Sequence, residues 1–201
     1  LANGAFVTTA VLNVAHDASG IVGESTLVIE KTVATAKAAA GSWTSVKSTT
    51  ASPVAGVFAR QSQSNLAIAA GQTICLRGKV TAGSLVDSTA STCVARPLDL
   101  TSSLIARSTG ATSWTKIGNG ASYKSQTLNS VLTMSNITGR KFVLVANKCK
   151  TCGSVQVKLG TKTVTISLQS NATVNNAVIP VNFTGVTSNI SGTLTVKVTT
   201  S

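Results

Sequence analysis

Carboxylates are scarce in this sequence of 201 residues. Five acids, Asp17, Glu24, Glu30, Asp87 and Asp99, stand against 17 Lys or Arg, and His16 is the single histidine. So thin an inventory disfavours most general acid–base mechanisms and the oxygen-rich cages that hard cations require. No G-x-S-x-G elbow is present, and the neighbouring His16 and Asp17 point to opposite faces if their segment is a strand. No enzyme activity, cofactor or metal site is expected. Apolar runs are also short: none approaches the ~18 residues of a membrane-spanning helix. No window of 11 or more residues carries a helical stripe capped at both ends. The chain opens at Leu1 without Met, a basic segment or a long apolar segment, so any secretory signal is expected to have been removed already.

What is abundant is a β vocabulary. Thirty Thr and 25 Ser, with many Val, Ala and Gly, favour extended backbone. Period-two alternation predicts strands at 7–14, 25–33, 73–80, 91–95, 131–134, 141–146, 154–159, 163–168, 178–183 and 193–199. Residues 33–40 (VATAKAAA) are too few for a stable helix before Gly41 and are read as a strand running into a loop. Charge composition shifts at Arg96-Pro97-Leu98-Asp99. Residues 1–97 hold seven cations and four acids, net +3, while residues 98–201 hold ten and one, net +9. The predicted architecture is therefore all-β, two consecutive β-sandwich modules cut at 1–97 and 98–201, without internal repeats.

Four cysteines allow three pairings. Cys75 with Cys93 and Cys149 with Cys152 is the expected one, because each pair falls inside one candidate hairpin. Such bridges persist in an oxidising compartment, which places the protein outside the cytosol. The first closes a loop worth roughly 3 kcal/mol in the chain-entropy model. The second, in Asn147-Lys148-Cys149-Lys150-Thr151-Cys152-Gly153, reads as a turn disulfide, with a redox pair or half of a zinc knuckle as alternatives.

The stretch Gly71-Gln72-Thr73-Ile74-Cys75-Leu76-Arg77, followed by Cys93-Val94-Ala95-Arg96-Pro97-Leu98-Asp99, resembles the end of a fibronectin type III-like module in secreted actinobacterial proteins. In those proteins it joins a C-terminal jelly-roll module. The second module is similar here through Trp114, Tyr123, Leu144-Val145-Ala146-Asn147, Cys149 to Gly153, Val155, Val157 and Gly192-Thr193-Leu194-Thr195-Val196. The resemblance implies a secreted or surface β protein whose jelly roll is similar in kind to carbohydrate-binding modules. It implies no reaction. Members usually run on past the strand at 192–198 into a further closing strand, so the jelly roll is expected to be one strand short. Residues 6–14 resemble the second strand of the fibronectin-like module, with little left before them for a first. Shortening or divergence is one reading of both ends; a strand supplied by a neighbouring subunit is the other.

Trp43 and Trp114 are expected as core anchors of an aromatic-poor sandwich, whereas Tyr123 divides evenly between core and surface. Trp114 and Tyr123 are also the candidates for stacking on a sugar. Arg140, Lys141, Lys148, Lys150, Lys158 and Lys162 fall within 23 residues that hold no acid. They form either a candidate surface for a polysaccharide or an anionic cell-wall polymer, or a set of solubilising, edge-protecting lysines. No sequence-specific nucleic acid recognition is implied. Four N-x-S/T sequons, at Asn136, Asn171, Asn182 and Asn189, are close to what twelve Asn give by chance among 55 Ser and Thr. The expected function is that of a non-enzymatic extracellular structural or adhesive protein. Polymerisation would proceed by donating an N-terminal strand (Phe6, Val7, Ala10, Leu12) to a homopolymer of surface filaments. The alternative is a carbohydrate- or cell-wall-polyanion-binding module.

Overall fold

The computed structural model describes residues 5–6, 9–17, 23–51, 58–117 and 122–200. Within them the protein is all β, apart from one 3-10 turn at Gly110–Thr112. The chain divides into two compact units, Leu1–Thr35 with Ala39–Arg96, and Ala36–Ala38 with Pro97–Ser201.

The first unit is built from β1 (Ala5–Phe6), β2 (Thr9–Asp17), β3 (Ser25–Thr35), β4 (Thr44–Ala51), β5 (Phe58–Ala67), β6 (Gln72–Ala82), β7 (Leu85–Ser88) and β8 (Thr92–Ala95). One sheet has the order β1-β8-β6-β3-β4, with β7 pairing the far half of β6; β2 and β5 form a second sheet. Pairing is antiparallel except between β1 and β8. Alternation along β3 and β6 sends Leu27, Ile29, Ile74 and Leu76 inward, and Val94 of β8 joins them. Against these, Ala10 of β2 and Ile68, just past β5, are almost wholly buried, with Leu12, Val14 and Leu66 beside them. Burying each Ile or Leu stabilises the unit by ~1.5–3 kcal/mol before chain entropy is counted.

The two sheets approach closely at Gly78. A Cβ there would lie 2.6 Å from Cγ1 of Val14, so a residue without a side chain lets the middle of β6 pass β2. On the other face of β6, Cys75 sits directly opposite Cys93 of β8 in a disulfide with Cα atoms 4.0 Å apart.

Two expectations change here. The N-terminal segment is not surplus, because β2 pairs along β5 and places Ala10 and Leu12 in its own unit's core. Phe6 is used in β1, opposite Ala95, and Val7 lies outside the described residues. Trp43 and Trp114 are both half-buried and belong to neither core, whose interior is aliphatic with Phe142 and Phe183 as its aromatic members. The inward positions of the strands are mostly Ile, Leu and Val, whose close packing builds both cores without an indole.

The second unit comprises β9 (Ala106–Arg107), β10 (Thr115–Ile117), β11 (Ser122–Lys124), β12 (Val131–Gly139), β13 (Phe142–Lys148), β14 (Ser154–Leu159), β15 (Lys162–Ser167), β16 (Val174–Val181) and β17 (Ile190–Thr200). A five-stranded antiparallel sheet runs β15-β14-β17-β12-β9; β13 pairs with β16 and β10 with β11. Its core is filled by Val155, Val157, Leu159, Ile166, Ile137 and Leu194 from the large sheet, with Val181 and Phe183. Phe142 meets Phe183 edge to face at 6.0 Å. The β14–β15 hairpin closes on Gly160 and Thr161, with Gly160 at φ +58°, a left-handed turn conformation that favours glycine. The last described strand, β17, is interior, flanked by β14 on one side and β12 on the other.

Two outcomes are expected from the first unit. Gly78→Val should destabilise it by ~1–3 kcal/mol through overpacking, lowering its thermal midpoint by several degrees. Val14→Ala in the same chain should recover part of that loss; equal midpoints for wild type and Gly78→Val would contradict the close approach. Removing residues 1–14 should abolish cooperative unfolding of the first unit in calorimetry, whereas a donated strand would leave it intact.

Candidate functional site

The same alternation that fills the second core decides what its large sheet shows to solvent. Val155, Val157 and Leu159 of β14 and Leu194, Val196 and Val198 of β17 turn inward. Gln156 and Lys158, and Thr195 and Lys197, therefore stand on the opposite face. Register sets them in two adjacent rungs. Thr163, Lys158, Thr195 and Thr133 lie across β15, β14, β17 and β12; the next rung holds Thr165, Gln156, Lys197 and Val131. Successive outward residues of one strand are ~6.7 Å apart and neighbouring strands ~4.8 Å. Lys158 and Lys197 are diagonal neighbours with Cα atoms about 7–8 Å apart. Further along, the Thr138 and Ser191 hydroxyls bond each other at 2.8 Å.

The six cations singled out by sequence do not form one surface. Arg140 and Lys141 follow β12, and Lys162 begins β15. These lie at one end of the unit, where Arg140 Nη1 donates to the Thr187 carbonyl at 3.5 Å and Lys162 Nζ to the Thr184 carbonyl at 3.2 Å. Lys158 is near that end but on the sheet face. Lys148 and Lys150 flank Cys149 at the other end, a strand length of about 20 Å away. Lys197 falls outside the basic stretch at 140–162. It lies 35 positions beyond Lys162 in sequence yet on the strand next to Lys158. The signal that finds it is the outward set Thr193, Thr195 and Lys197, alternating with Leu194 and Val196.

Cys149 and Cys152 are joined in a disulfide across a tight turn in which the Cys152 N–H donates to the Cys149 carbonyl at 3.2 Å. The turn is held by bonds from Cys149 N–H to the Leu168 carbonyl and from Ser170 N–H to the Cys149 carbonyl. Among the described residues no three His, Cys, Asp or Glu gather as a metal site, and no helix is long and apolar enough to cross a membrane.

Tyr123 on β11 lies beneath the Arg107 guanidinium, 4.6 Å from the ring centroid. Arg107 is itself fixed by a 2.5 Å hydrogen bond to the Leu100 carbonyl. One face of the tyrosine is thus occupied by its own unit. Trp114, just before β10, is half-buried, and its Nε1 has no hydrogen-bond partner among the described residues. In the first unit Trp43 is similarly engaged, under Arg77 at 4.2 Å. Arg77 is held by two contacts to Glu30 Oε2, at 2.7 and 2.8 Å, while Lys79 stands 3.9 Å from Oε1. The Glu30 carboxylate thus serves two cations. The second unit has no such balance, since Asp99 is the one acid against ten Lys or Arg in residues 98–201. His16 and Asp17 are consecutive positions of β2, opposite Ala59 and Phe58.

No protein-family model matches the chain, and no curated protein matches it. Among solved structures, a crystal structure of red sea bream transglutaminase aligns with 99% of this chain and 26% of its own, at 12% identity and a TM-score of 0.32. The chain thus spans about a quarter of that enzyme, at a likeness too low to bear on fold detail or activity.

Proposed function

We propose that this is a secreted, non-catalytic β-sandwich protein that acts by surface contact, and that its second unit adheres to an anionic polymer of the cell surface or its surroundings. The observation that carries this reading is uncompensated positive charge on a braced antiparallel scaffold: ten cations and one acid in residues 98–201. Such a field draws polyanions by long-range attraction and counterion release. The two disulfides support an oxidising location. The resemblance to secreted fibronectin type III-like and jelly-roll proteins points the same way.

A structural role as a self-assembling filament loses one of the features that favour it, because the N-terminal segment contributes to its own core. A neutral-glycan platform on Trp114 and Tyr123 is weakened because Arg107 covers one face of the tyrosine.

The intact protein should be retained on an immobilised anionic polysaccharide at low ionic strength. It should elute as salt rises toward about 1 M, where the screening length falls to about 3 Å. Retention on a neutral dextran matrix should be absent. Passage through the anionic column at low salt would contradict the proposal.

A further inference from the structure

We infer that the binding surface for that polymer is the outer face of the five-stranded sheet, with Lys158 and Lys197 as its charged contacts, and that its occupant is an extended polyanionic glycan. The inference rests on the adhesive reading above and assigns it a place. Charge complementarity is the first argument. Lys158 and Lys197 stand on adjacent strands β14 and β17, their Cα atoms diagonally about 7–8 Å apart, in a unit whose residues 98–201 hold one acid. An anion arriving there meets no competing acid on these strands.

The surroundings select the kind of polyanion. Beside the lysines lie Gln156 and the hydroxyls of Thr163, Thr165 and Thr195. A hydroxyl donates one hydrogen bond and accepts others, and an amide does both, which suits the ring hydroxyls of a sugar chain between its acidic groups. Lysine binds sulfate or carboxylate as a movable point charge rather than as a fixed fork. Apart from Lys158, Gln156 and Lys197, which would contact the polymer, the rung positions are Thr or Val, so an extended chain can lie across the sheet over short side chains.

The same inventory argues against other occupants. Single-stranded nucleic acids are held by stacking bases on aromatic rings, and none of the eight rung positions is aromatic. Protein interfaces centre on buried aromatic or aliphatic anchors and are depleted in lysine at their core; this face offers Val131 as its single aliphatic rung residue. The exposed apolar pairs of the unit, such as Val145 opposite Val178, lie on the β13–β16 ribbon instead.

The test is calorimetric titration of the full chain with heparin and with polygalacturonate at one fixed low salt concentration. The combined variant Lys158→Gln, Lys197→Gln should bind both about fivefold or more weakly, as expected for two exposed ion pairs with their hydrogen bonds. Lys148→Gln, Lys150→Gln removes the same charge at the other end and should stay within about twofold of wild type. Gln156→Glu, which places a carboxylate between the lysines, should weaken binding without lowering the thermal midpoint. Duplex DNA should bind more weakly than either glycan. Equal losses for the two lysine pairs would overturn the assignment of this face while leaving polyanion adhesion standing. DNA binding as tight as glycan binding would overturn the glycan as occupant. No binding of any polyanion by the wild type would overturn the adhesive reading itself.

Discussion

The pairing register between β14 and β17 is the constraint on which the second unit depends. Val157 opposite Val196 and Leu159 opposite Leu194 place four apolar side chains on one face. The core that they build with Phe183 and Ile166 holds the opposed β13–β16 ribbon in place. Because side chains alternate strictly, a slip of one residue would carry Lys158 into that core and expose its aliphatic neighbours. Burying an unpaired ammonium costs several kcal/mol, so the apolar core and the cationic face specify the same register. Function, on this account, is what the core leaves on the other side.

The first unit obeys a similar rule with different fastenings. Gly78 lets β6 pass beside Val14, while Cys75 and Cys93 fasten β6 to β8 on the opposite face. The Arg77–Glu30 pair and the Trp43 ring further tie β6 to β3 and to the segment before β4. These contacts neutralise charge within the unit. The second unit is fastened mainly by aliphatic packing and the Cys149–Cys152 turn, and its residues 98–201 hold one acid against ten cations.

Much of this was legible from pattern alone. Strands such as β3, β6, β14, β15 and β17 alternate apolar with polar residues, and the structure returns them with boundaries shifted by a few residues. The all-β class and both disulfides follow from the same signal. Period-two alternation does not mark β4 and β5, because their Ser, Thr and Gln leave few apolar residues to set a period. The Trp residues misled, since bulk favours burial on average but their partners here are arginine or a half-buried loop position. The candidate site was legible only in part. Lys158 lay inside the basic stretch, whereas Lys197 becomes its neighbour through a pairing between segments far apart in sequence, which no reading along one strand reveals. From pattern alone the N-terminal segment reads as surplus, because the polar sequence of its partner β5 carries no period to mark a strand.

The account turns on β17 being an interior strand, and amide hydrogen exchange resolved by residue tests that directly. In an antiparallel sheet the amides of one strand point alternately to its two neighbours. With β14 and β12 both paired, consecutive amides from Thr193 to Val198 should exchange slowly, apart from positions beside the β12 bulge between Met134 and Ile137. Fast exchange at every second residue along β17 would show a strand paired on one side only, and would remove the two-rung face on which the proposed adhesion rests.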